Sequence, residues 1–199
     1  MNNLTKADIP VLHTGEAETF PVRAGYTATV LVEYDEDSGP PWDDCDGHGP
    51  VTDWVTRDKR PGELVLCCGR GGKRYYDYSG ALKVARKDGW DAAPYSNTET
   101  KGQRAHKAVM ADYEHLRAWC NEEWRYVGVT VRLYHNGQKV DDDTLWGLED
   151  CNDYPAQHAA EQINYMVEHH IAERAQARLA AIHETRERQY WAGRDVVTV

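Results

Sequence analysis

The chain has 199 residues, 41% of them hydrophobic and 28% charged. That length buries about two-thirds of the surface its unfolded form exposes, so folding requires neither a metal nor disulfides. The absence of an 18-residue apolar run excludes a hydrophobic transmembrane helix, and a net charge of −10 excludes broad nonspecific binding to nucleic acid, which draws on clustered Lys and Arg. The charge is uneven: residues 1–60 carry −7, residues 61–110 carry +4 and residues 111–155 carry −6. Acidic stretches of this kind are attracted to a basic surface on a partner.

Residues 1–17 read as an irregular arm, without the basic-then-apolar pattern of a secretory leader. Five cysteines, two of them adjacent at Cys67 and Cys68, argue against a disulfide framework and for a reducing cytoplasm. Tyr26–Tyr34 is rich in β-branched and aromatic residues and predicts a strand. Asp35–Pro61 reads as a long loop, functional or holding a short element such as "VTDWVTR".

"GELVLCCGRGGKRYYDYSGALKVARKDGW" is the clearest unit. It predicts a strand over 63–68, a glycine turn, a return strand over 73–78, and a short helix over 81–87 with Ser79 as N-cap and Gly89 as stop. A second helix is predicted over 103–121, its apolar face built from Ala105, Val109, Tyr113, Leu116 and Cys120. Arg125–Tyr134 alternates, with Val127, Val129, Val131 and Leu133 pointing one way, which predicts a strand covered on one face. Asn136-Gly137 signals a hairpin, and its return strand lies near Lys139 or after Asp141–Asp143. A helix over 156–190 carries Ile163, Val167, Ile171, Ala175, Leu179 and Ile182 as an apolar stripe; at roughly 50 Å it either breaks or projects. The expected fold is α+β: an antiparallel sheet of β-hairpins packed by helices, with a long C-terminal amphipathic helix. Residues 1–155 form the core and 156–199 an extension that packs on the core or on a second copy.

The densest group of polar ligands is "PPWDDCDGHGP", Pro40–Pro50. Cys45 and His48 have the spacing of half a zinc site, but no second pair completes it. Asp43, Asp44 and Asp46 lack the calcium-loop pattern. "CCGRGGKRY" is no P-loop, because no Ser or Thr follows Lys73 and a strand follows the loop. Arg70, Lys73 and Arg74 read either as a solvated basic hairpin tip or as contacts to a phosphate. Cys120, on an apolar stripe, reads as core rather than as a nucleophile.

"DGHGPVTDWVTRDKRPGELVL", "KRYYDYSGALKVARKDGW" and "WRYVGVTVRLYHNGQKVDDDTLWGLED" resemble a group of accessory proteins of tailed bacteriophages and prophages, over most of residues 40–153. The resemblance carries no catalytic residue. It implies a virus-encoded protein in the bacterial cytoplasm. By analogy with small acidic phage proteins that block host defence, CRISPR effectors included, the expected function is a non-enzymatic inhibitor of a defence protein or ribonucleoprotein. Trp42 and Trp54 are the expected anchors, with Asp43, Asp44, Asp46, Asp141, Asp142 and Asp143 facing a basic, nucleic-acid-binding surface. No cofactor, membrane or direct nucleic-acid contact is expected. The alternative is a metal-dependent hydrolase acting on nucleic acid or a nucleotide signal, with Cys45 and His48 as ligands. Self-association through the C-terminal helix is a third reading.

Overall fold

The computed structural model describes residues 3–44, 47–69, 71–90 and 99–194. The fold is α+β: the described residues form a four-stranded antiparallel sheet, a two-stranded hairpin and four α-helices. Contacts divide the chain into two units. One comprises Met1–Asp35 and Val127–Val199; the other is Glu36–Tyr126, inserted between them. This grouping differs from the boundary expected at residue 155, because the C-terminal helix shares a core with the strands of its own unit.

The sheet unit contains β1 (Ala17–Arg23), β2 (Tyr26–Tyr34), β5 (Tyr126–His135), β6 (Gln138–Glu149) and α4 (Tyr154–Arg194), with strand order β1-β2-β5-β6. In β2, Ala28, Val30 and Val32 are buried, and in β5 Val127, Val129, Val131 and Leu133. Those positions alternate, so all point to one face. There they meet Ala159, Ala160, Ile163, Met166 and Val167 of α4. Each large apolar side chain covered this way contributes about 1.5–3 kcal/mol. Asn136 and Gly137, both at positive φ, make the expected turn from β5 into β6. β6 runs without interruption through Asp141–Asp143, as an edge strand with its acidic run exposed or half-exposed. β1 is the other edge, where Pro21 costs no central ladder bond.

The arm is more tightly held than expected. The Asn164 side chain accepts from Leu4 N at 2.9 Å and donates to Leu4 O at 2.8 Å, Lys6 pairs with Asp153, and Gly15 N donates to Val32 O at 2.7 Å. α4 neither breaks nor stays buried. It is one 41-residue helix, about 62 Å long. From Ile171 to Ala192 every residue is exposed, so Ile163 and Val167 belong to the core while Ile171, Ala175, Leu179 and Ile182 do not. No described helix is long and apolar enough to cross a membrane.

The inserted unit contains α1 (Pro41–Asp44), the hairpin of β3 (Glu63–Gly69) and β4 (Gly72–Asp77), α2 (Tyr78–Asp88) and α3 (Lys101–Cys120). The short element expected within "VTDWVTR" is present. Val51 and Val55 bridge to Tyr76 and Lys73, so residues 51–55 lie antiparallel along β4. α2 starts earlier than predicted and its N-cap is Asp77, not Ser79: the Asp77 carboxylate accepts from Gly80 N at 2.9 Å. Thr100 and Gln103 form a capping box that starts α3. Leu66, Tyr76, Ala81, Ala85, Ala105, Val109, Tyr113 and Leu116 make the core, which confirms the predicted face of α3. Cys120, at the end of that face, is joined to Cys67 by a disulfide. This corrects the expectation of reduced cysteines and of Cys120 as mere core filling; Cys68 is exposed and free.

Candidate functional site

The loop rich in ligand residues is held by a carboxylate that its local sequence does not reveal. Asp112, on α3, takes three donors. His48 Nδ1 lies 2.6 Å from Oδ1, while Gly49 N at 2.8 Å and the Tyr76 hydroxyl at 2.7 Å both donate to Oδ2. The side chains of His48 and Asp112 are only 18% and 9% exposed, so losing any partner would strand a polar group away from water. Gly49 is demanded sterically: a Cβ there would fall 2.3 Å from the Tyr76 hydroxyl and 2.6 Å from Ala81 Cβ. Burial, then the Asp112 hydrogen bond and charge, push the Tyr76 phenol far up, so it remains a donor.

This clasp joins α3, β4 and the loop. It fixes the imidazole of His48 through Nδ1 and leaves Nε2 as its other ring nitrogen. An imidazole oriented by a carboxylate is the arrangement of both a general base and a metal ligand. The ring of His115 is stacked on His48 at 6.2 Å and on Trp124 at 4.5 Å. Two nearly parallel imidazoles, 14° apart, present faces rather than converging nitrogens. Cys45 and Asp46 lie outside the described residues, as does the side chain of Asp44; Asp43 is exposed on α1.

The two expected anchors, Trp42 and Trp54, are brought together by a residue first read as part of a basic tip. The Arg74 guanidinium lies 5.2 Å from each ring centroid. Trp42 is half-buried with its edge to Trp119, whereas Trp54 is 44% exposed. Gly69 lets the hairpin lie against Trp54, since a Cβ would meet its ring at 3.1 Å. Lys73 faces Asp58 at 3.7 Å, and Arg70 lies outside the described residues. Trp54 therefore stands in basic rather than acidic surroundings.

The second acidic group sits on β6 of the sheet unit. Asp142 and Asp143 are exposed and Asp141 is half-buried. Lys139 reaches Asp142 at 2.8 Å, which together with Arg132 holds that carboxyl below its usual range. Beside them stand Leu145, 41% exposed, and Trp146, 50% exposed. The Trp146 indole lies over Gly128 of β5, where a Cβ would fall 2.2 Å from the ring. Thr130 and Thr144 share a hydrogen bond at 2.9 Å.

Sequence reasoning missed Asp112 and Trp146, and it placed Arg74 at a basic tip without its contact with Trp42 and Trp54. Asp112 had a weak signal, a carboxylate flanking the apolar stripe between Val109 and Leu116. Trp146 stood in "TLWGLE", recognised as strand but not as a surface. The chain matches no family model, no curated protein and no solved structure.

Proposed function

We propose that this chain is a phage-encoded, non-enzymatic protein that binds and blocks a basic, nucleic-acid-handling surface of a bacterial defence protein or ribonucleoprotein in the host cytoplasm. The observation that carries the reading is edge strand β6, along which Asp142, Asp143, Leu145 and Trp146 are all exposed. Carboxylates there steer a cationic partner, and an exposed indole on the same strand supplies the apolar anchor. The phage setting is carried over from the sequence resemblance proposed over most of residues 40–153. Among the residues first expected at the interface, Asp142 and Asp143 lead. Trp54 stands against Arg74, and Trp42 is committed to packing.

Affinity capture from a bacterial lysate, using the full chain as bait, tests this. A specific protein or ribonucleoprotein should be retained and should weaken steadily with added salt. Asp142→Lys with Asp143→Lys should release it, and Trp146→Ala should weaken it. Retention indifferent to ionic strength and to the double reversal overturns the reading.

The hydrolase alternative rests on His48 and Cys45. Elemental analysis of untagged protein and the change in melting temperature with chelator separate it from the binder. Self-association is favoured by a different observation, the exposed Ile171, Leu179 and Ile182 of α4. Sedimentation of the full chain and of a chain ending at Ile171 should then give different stoichiometries.

A further inference from the structure

A cavity of about 460 Å³ lies between the C-terminal end of α2 and the first turns of α3. Its floor is apolar, formed by Ala85 and Ala105, which are 1% and 3% exposed. Around the floor stand Arg86 of α2 and Lys101 and Arg104 of α3, with no carboxylate among the described lining residues. The cations belong to the stretch 61–110, which carries +4 in a chain of net charge −10. Trp90 completes the wall, half-buried against the hydrophobic core of the inserted unit.

The local backbone explains the arrangement. Gly89 takes the left-handed conformation, φ 74°, that ends α2, and Trp90 N then turns back to Ala85 O at 2.9 Å. That reversal holds the indole at the cavity. Gly102 leaves the facing wall without a side chain, and the Arg86 guanidinium reaches it: a Cβ on Gly102 would lie 3.9 Å from Arg86 Nη2. Lys101 and Arg104, three apart, stand on the same side of α3. The amides of Gln103 and Thr100 are engaged in the capping box.

We propose that this cavity binds a nucleoside phosphate, with the phosphate between Arg86 and Lys101 and the base against Trp90 over the alanine floor. The volume falls within the range of small-molecule sites, about 300–1,000 Å³. Guanidinium groups match phosphate oxygens in a fork, and an indole offers a stacking face. A bare phosphate would leave Trp90 and the apolar floor unused. A long nucleic acid would have to approach a strongly acidic chain, which disfavours a polyanion and favours a compact ligand. The inference is independent of the partner assigned to β6.

Calorimetric titration of the full chain with ATP, UTP and inorganic phosphate tests it. At least one nucleotide should bind saturably and raise the melting temperature, and inorganic phosphate should bind at least about tenfold more weakly. Arg86→Glu with Lys101→Glu, both on exposed side chains, should keep the circular dichroism of the parent and lose about tenfold or more in nucleotide affinity. Trp90→Leu should weaken nucleotide binding while leaving phosphate binding unchanged. No saturable binding by either nucleotide, or unchanged nucleotide affinity in the folded double variant, overturns the assignment. Phosphate binding as tight as nucleotide binding overturns the role of Trp90.

Discussion

The two units secure their helices by different means. In the sheet unit, α4 is held by aliphatic side chains against β2 and β5, and the polar ties lie at its margins, at Leu4 with Asn164 and at Tyr26 with His170. In the inserted unit, α3 faces a two-stranded hairpin, and its apolar contacts are joined by tyrosines, the Asp112 clasp and the Cys67–Cys120 disulfide. A two-stranded hairpin offers too little apolar face to be stable alone. Hydrogen bonds and a covalent link take over where the sheet is too small to bury a full layer.

Reducing the disulfide should have the largest effect. It spans 53 residues, and its loss removes about 4 kcal/mol by chain-entropy reasoning. Hydrogen exchange should then speed up for amides of α3, β3 and β4, with β2 and β5 unchanged; equal acceleration in both units would break the contrast. Asp112→Ala strands three donors and should cost about 3 kcal/mol, read by denaturant unfolding. Asp112→Asn should cost less, because an amide oxygen still accepts. In the sheet unit, Gly128→Ala should displace the Trp146 indole and cost about 2 kcal/mol, with a red-shifted tryptophan emission as the signature.

Acid should separate the units with the smallest changes. Burial, Arg174 and then His170 hold the His135 imidazole below its ordinary 6.5. Folding favours its neutral form, so this contribution is present above about pH 6.5 and is lost as pH falls below that value. Hydrogen bonds from Arg57 hold the Glu63 carboxyl at about 2, down from 4.5. Its contribution is complete above about pH 4.5 and is lost as pH falls toward 2. Protection factors, with exchange corrected for its intrinsic pH dependence, should therefore fall first around Tyr26, His135 and His170 between pH 7 and pH 3, and only later around Arg57 and Glu63.

Local patterning made the regular parts legible. Val127 to Leu133 alternate strictly, Ala105 to Leu116 recur at helical spacing, and Asn136-Gly137 named the turn. β1 was not named as a strand, and its Pro21 is tolerated only because the strand is an edge. Three consecutive aspartates concealed that β6 is continuous, since a strand at the margin can carry charge throughout. Adjacent Cys67 and Cys68 gave no way to see that one of them meets Cys120. The site was the least legible part: His48 and Asp112 are 64 positions apart, and no spacing rule joins a loop to a helix over that distance.

α4 also has a practical use. From Ile171 to Ala192 the helix is exposed, so a protease that removes this stretch should leave the clamp of Ile163, Met166 and Val167 on the sheet. The same stretch is a ready-made spacer. A fluorophore placed at His183 would ride about 18 Å beyond Ile171 at the helical rise, far enough to report on helix bending without disturbing the core.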